Sequence, residues 1–246
     1  MNPRVTLATA ARIMRQLRGD HRTVALMLVV PCVLVGLLAW VYADSPVPVF
    51  DHIGAALLGI FPFVVMFVVT SVATLRERTS GTLERLLTTP LGKGDLMLGY
   101  AIAFGAMAVL QALVATSFAV WVCGLDVAGP LWVLVLIAVL DAVLGTALGL
   151  LASGFARTEF QAVQFMPAFI FPQFLVCGLL VPRDQMPRAL ELVSDVLPLS
   201  YAVDAMKEVT TNPEPLAGVA GSLSVVVLWI VLALVLGSLT LRRRTP

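Results

Sequence analysis

Six apolar runs, at residues 24–42, 53–75, 96–122, 131–151, 160–181 and 219–241, decide what this chain can become. Each is long enough to cross roughly 30 Å of hydrocarbon as an α-helix rising about 1.5 Å per residue. With 59% apolar and 13% charged residues among 246, the sequence reads as an all-α integral membrane protein rather than a soluble domain. Val41-Tyr42-Ala43 after a basic start imitates a signal-peptidase site, but the run before it is long for a signal peptide. It is expected to stay as the first of six spans.

The distribution of cations sets the expected orientation. Arg4, Arg12, Arg15, Arg18 and Arg22 precede the first run. The loop at 76–93 holds four Lys or Arg residues, the loop after the fourth run has Arg157, and the C-terminal tail has three. The segments at 43–52 and 123–130 have none, and 182–218 has three against six acids. Thirteen of the sixteen cations therefore fall on one alternating set of loops. The positive-inside rule then puts both termini in the cytoplasm, with the chain crossing the membrane six times.

Residues 1–22 form a second signal. On a helical wheel the five arginines fall within an arc of about 120°, with Ala10, Ile13, Met14 and Leu17 opposite. This pattern predicts an interfacial helix on an anionic leaflet; a basic tail that only sets topology is the alternative. At the other end of the chain, 182–218 is too apolar for a free loop. Pro187 opens one helical run through Leu190, Val193 and Leu197, Pro198 breaks it, Ser200 is placed to cap, and Val203, Met206 and Val209 follow. Gly145-x-x-x-Gly149, with Ser153 beyond, predicts close approach of the fourth span to a neighbour. Cys32, Cys123 and Cys177 have no metal spacing and read as small hydrophobes, a Cys123–Cys177 disulfide being the lesser alternative.

Between the second and third runs lies Leu75–Pro90, with Arg76, Glu77, Arg78, Glu84 and Arg85 packed into ten residues. Such charge density cannot sit in hydrocarbon. Thr82 is placed to N-cap a short helix, Glu84 suits its first turn, and Pro90 stops it. Leu83, Leu86 and Leu87 give that helix one apolar stripe, to be buried on the membrane surface or on another protein.

Glu77-Arg78-Thr79-Ser80-Gly81-Thr82-Leu83-Glu84-Arg85-Leu86, followed by Pro90, resembles the E-R-x-x-G-T-x-E-x-L…P signature of type-2 ABC transporter permeases. Gly178-Leu-Leu-Val-Pro182-Arg-Asp-Gln-Met-Pro187, with Leu197-Pro198-Leu199-Ser200-Tyr201, resembles that family's extracellular segment before the last span. The resemblance covers essentially the whole chain as one transmembrane domain. It implies that 76–93 is a coupling loop in which Glu77, Arg78, Gly81, Thr82, Leu83, Glu84, Arg85, Leu86 and Leu87 contact an ABC ATPase dimer. It further implies a re-entrant hairpin at 182–218 and a second permease copy or paralogue. ATP and magnesium would be bound by the ATPase and no cofactor by this chain. The nearest likeness is to drug and lipid exporters of the daunorubicin-resistance type, with polysaccharide or lipooligosaccharide export as the alternative within the family. A secondary transporter or membrane anchor without an ATPase is the alternative outside it.

The chain has no ATP-binding motif of its own. Gly92-Lys93-Gly94-Asp95 lacks the upstream glycine and the Ser/Thr of a phosphate loop, and no HExxH or GxSxG occurs. An enzyme or a nucleic-acid binder is not expected. Asp141 is the single acid inside a run, read either as a functional group or as a structural acid partnered by Gln111 or Thr146. Phenylalanines concentrate in the second and fifth runs. Phe63, Phe67, Phe165 and Phe169, with Gln173, form a candidate path for an amphipathic organic substrate, lipid-facing rings being the alternative.

Overall fold

A computed structural model describes residues 3–46, 49–79 and 92–240, and among these the secondary structure is helical without a strand. In chain order the helices are α1 (Pro3–Gly19), α2 (His21–Val41), α3 (Val49–Thr79), α4 (Lys93–Trp121), α5 (Leu131–Ser153) and α6 (Glu159–Val176). A 3₁₀ turn at Arg183–Gln185 then leads to α7 (Arg188–Val196), α8 (Pro198–Thr211) and α9 (Leu216–Thr240). Five of them, α2, α3, α4, α5 and α9, are long and apolar enough to cross a membrane.

The fifth expected span differs. α6 has only 18 residues, which include Glu159, three glutamines, Pro167 and Pro172, and it lies outside that set of five. It stops at Cys177 because Gly178 takes φ +86°, a left-handed conformation that side-chain-bearing residues avoid. The expected helix over 160–181 is therefore shorter at its end.

α5 is the central helix. Most of its 23 residues are buried, against α3, α9, α4 and α8. Its glycines explain the closest approach. A Cβ on Gly149 would come to 2.5 Å from the carbonyl oxygen of Phe67, and one on Gly145 would overlap the carbonyl of Phe63. Only small residues let two helix backbones meet this way, as the Gly145-x-x-x-Gly149 spacing predicts.

The N-terminal helix is shorter than 1–22. Asp20 ends α1 and caps α2, accepting from the Thr23 amide at 3.1 Å and the Thr23 hydroxyl at 2.6 Å. Arg22 is thereby moved into the first turn of α2, away from the other four arginines. α1 buries Thr6, Thr9, Ala10, Ile13 and Leu17, the last three in one core cluster with Leu96, Tyr100 and Phe104 of α4.

At the opposite end of the bundle, Trp40 and Trp121 are each 77% exposed and Trp132 is 58% exposed. They close α2 and α4 and open α5, making an aromatic rim of the kind found at membrane–water boundaries. The amide of Asp126 donates to Asp51 at 3.2 Å, joining the 122–130 loop to the start of α3 at that end. α7 and α8 follow the expected division at Pro198, which takes the first position of α8. Ser200 does not cap it: the residue is buried inside α8, where its hydroxyl lies 3.0 Å from that of Ser194, which itself donates to the Val176 carbonyl at 2.8 Å. All three cysteines are free thiols.

Candidate coupling site at the C-terminal end of α3

α3 does not stop where the apolar run stops. It carries the charged triplet Arg76, Glu77 and Arg78 as its last turn, because each of these side chains finds a partner on another helix. Successive helical residues point about 100° apart, so three in a row address three directions. Arg76 makes a bidentate pair with Glu159 at the start of α6, both bonds 2.9 Å. Glu77 accepts from both terminal nitrogens of Arg12 on α1, at 3.2 and 3.0 Å, and from the Tyr100 hydroxyl on α4. Arg78 donates to the carbonyl of Ser153, placing a cation on the negative end of α5.

These contacts differ in strength. The Arg76–Glu159 pair is open to solvent at both partners, and such pairs contribute about 0–1 kcal/mol. Arg12 and Glu77 are only 25% and 17% exposed and meet in fork geometry, so removing one partner would leave a partly buried charge at a cost of about 1–3 kcal/mol. Hydrogen bonding to Arg76 holds the Glu159 carboxyl below its usual range.

Of the expected coupling residues, Glu77 and Arg78 are thus directed at neighbouring helices of the same chain. Gly81, Thr82, Leu83, Glu84, Arg85, Leu86 and Leu87 lie outside the described residues. Sequence reasoning missed Arg12, Tyr100 and Glu159 as partners. Nothing in the spacing of a basic face marks one of its arginines as reaching 65 residues along the chain.

The candidate substrate residues are divided. Phe63 and Phe67 are fully enclosed between α3 and α5, in one cluster with the partly buried Phe165. Phe169 meets Phe165 edge-on at 5.9 Å but is 55% exposed. Gln173 is buried, donates to the Phe169 carbonyl at 3.1 Å, and leaves its oxygen without a partner among the described residues. One group therefore lies within the chain and Phe169 lies on its surface.

Asp141 is fully buried near the middle of α5, and neither carboxylate oxygen has a hydrogen-bond partner among the described residues. Both expected partners are engaged elsewhere. Gln111 donates to the Met27 carbonyl at 2.7 Å, and Thr146 donates to Ala142 one turn back at 3.1 Å. The structural reading survives only without those two bonds.

A second charged cluster, unforeseen in the sequence, ties α7 and α8 to the 3₁₀ turn. Arg183 donates to Asp195 and Asp204 and lies 5.2 Å over the Tyr201 ring. Lys207 donates to the carbonyl of Gly178. The cluster borders a polar cavity of about 450 Å³ that also meets Asp184 and Glu191.

The family model described as "ABC-2 type transporter" matches residues 4–210. The chain is 27% identical over 154 residues to "Probable multidrug ABC transporter permease YbhR" of Escherichia coli, covering 63% of this chain and 42% of that protein. It is 26% identical over 161 residues to "Linearmycin resistance permease protein LnrN" of Bacillus subtilis, covering 65% and 41%. "Nodulation protein J" of Rhizobium leguminosarum bv. viciae matches at 27% over 172 residues, covering 69% and 64%. Each match takes in less than two thirds of the relative, and less than half of YbhR and LnrN. With most of its length under that one family model, the chain belongs to the ABC-2 type transporter family and is a type-2 ABC permease.

Proposed function

We propose that this chain is the membrane-spanning subunit of an ATP-driven exporter for a hydrophobic or amphipathic substrate, a drug or a lipid. It acts as one of two permeases, a second copy or a paralogue, above a pair of ABC ATPase subunits that hold ATP and Mg²⁺. α6 serves as a sixth crossing beside the five long helices, and α7 and α8 form the outer hairpin. Both termini then lie in the cytoplasm of a bacterial cell.

The observation that carries this reading is the last turn of α3. Three consecutive charged side chains fasten it to α6, to α1 with α4, and to α5. Residues 80–91 follow directly, and they carry the signature that resembles an ATPase-docking segment. A push delivered to the last turn of α3 reaches four helices through these contacts. Because α3 and α5 are locked at Gly145 and Gly149, the pair moves as one body, and the path opens between bodies rather than within this contact.

Drug or lipid is favoured over polysaccharide because the relatives it matches include one named as a probable multidrug permease and one named as a linearmycin resistance permease. The test is co-purification of an ABC ATPase with the tagged permease, followed by vanadate-sensitive hydrolysis across a panel of drugs, lipids and oligosaccharides. A complex whose hydrolysis is stimulated by amphipathic compounds supports the reading. A permease that retains transport without any ATPase contradicts it.

A further inference from the structure

α1 has two distinct faces. One buries Ala10, Ile13 and Leu17 against the first turns of α4, a helix apolar enough to cross the membrane. The other, turned away from the bundle, presents Arg4, Arg15 and Arg18 with Leu7, which is 60% exposed. Arg15 and Arg18 form no ion pair among the described residues. A helix held at that depth, with cations around one exposed leucine, fits the boundary between anionic headgroups and acyl chains. An acidic protein surface would match the arginines but would leave Leu7 without an apolar partner.

Arg12 lies at the border between these two faces. Its guanidinium is clamped in fork geometry on Glu77, and the Tyr100 hydroxyl holds the same carboxylate from α4. The last turn of α3 is thus fastened to a helix whose outward face is cationic. We propose that this outward face of α1 binds anionic lipid, and that Arg12, Glu77 and Tyr100 transmit its occupancy to the last turn of α3. Glu77 is then a positioning residue. Lipid that draws α1 toward the headgroups moves or stiffens the point where α3 leaves the bundle. Orientation of α1 toward the inner leaflet rests on the exporter reading; the link between α1 and α3 does not.

The experiment uses the full chain in nanodiscs of phosphatidylcholine, with or without about 30 mol % phosphatidylglycerol, and follows amide hydrogen exchange in α1 and in residues 73–79. Anionic lipid is expected to slow exchange in both by about fivefold. Arg15→Gln with Arg18→Gln should remove both responses. Arg12→Gln should keep the response in α1 and lose it at 73–79. Tyr100→Phe, which removes one hydroxyl from a buried ring, should weaken the response at 73–79 in a chain that still folds. Wild-type exchange that ignores lipid charge overturns the proposal. So does a response at 73–79 that survives Arg12→Gln, or protection of α1 that comes only with added ATPase. Slowed exchange at both places in a permease that no ATPase stimulates supports this proposal while contradicting the exporter reading.

Discussion

Gly59 on α3 stands against the carboxyl of Asp141 on α5 so closely that a Cβ there would lie 3.0 Å from Oδ2. Met206 of α8 closes the same spot. The acid therefore occupies a notch shaped by a missing side chain, in the same helix pair that Gly145 and Gly149 bring into backbone contact. Gly59→Ala should force the carboxyl aside and lower stability by about 1–3 kcal/mol, as overpacking in a tight core does. Adding Asp141→Ala should recover part of that loss, giving a coupling of about 0.5–3 kcal/mol. Strict additivity in thermal unfolding of the four proteins would show that the two residues do not compete for this space.

Asp141→Asn follows from the same geometry. The amide matches the carboxyl in size, and transport at more than half the wild-type rate is expected, on the order of a few tenths of a kcal/mol in barrier. Abolished transport by a well-folded Asp141→Asn protein would make the charge functional.

A pH effect is expected where α1 meets α2. Hydrogen bonds from the Thr23 hydroxyl and amide hold the Asp20 carboxyl below its usual range. A carboxyl depressed on folding stabilises above its unfolded range, and that contribution fades as pH falls through the folded one. Asp20→Ala should therefore lower the unfolding temperature at neutral pH, and the gap between variant and wild type should close in acid. A gap of constant size from neutral to acid pH would show that the cap is not ionic.

Much of this was legible in the sequence and some was not, for identifiable reasons. Run length found, within a few residues, five helices long and apolar enough to cross a membrane, because hydrocarbon thickness and helix rise leave little choice. Small-residue spacing marked α5 for a close approach, without saying that α3 is the neighbour. Helix ends were less visible: α3 runs on through Arg76, Glu77 and Arg78 because of Glu159, Arg12 and Ser153, which are 83, 65 and 75 residues distant. The resemblance marked Glu77 and Arg78, yet no local pattern says that their partners are intramolecular. Ser200 suited a cap by type, but the hydroxyl of Ser194 reaches it across the α7–α8 corner.

Orientation can be read by labelling. In a chain without its native cysteines, Asp51→Cys and Asp126→Cys should react with an impermeant thiol reagent in intact cells, and Thr79→Cys should react only after lysis. The first two positions lie together, so they must agree. Labelling of Thr79→Cys from outside would reverse the bundle.

For substrate contact, Phe169 is the exposed member of the ring pair and Phe165 the half-buried one. Phe169→Ala should alter which compounds stimulate ATP hydrolysis while costing little stability. Phe165→Ala should lower stability by about 3 kcal/mol or less, since the site is only partly buried. Identical stimulation profiles for wild type and Phe169→Ala would assign that ring to lipid.

The central claim is that an ATPase drives this permease through the segment after α3. The direct measurement is ATP-dependent substrate uptake into inside-out proteoliposomes by wild type and Glu84→Lys, at matched amounts of inserted protein. A reversed charge at a desolvated contact costs about 2–5 kcal/mol, so uptake by Glu84→Lys should fall at least about tenfold while the permease still inserts. Equal uptake by the two proteins would contradict the account.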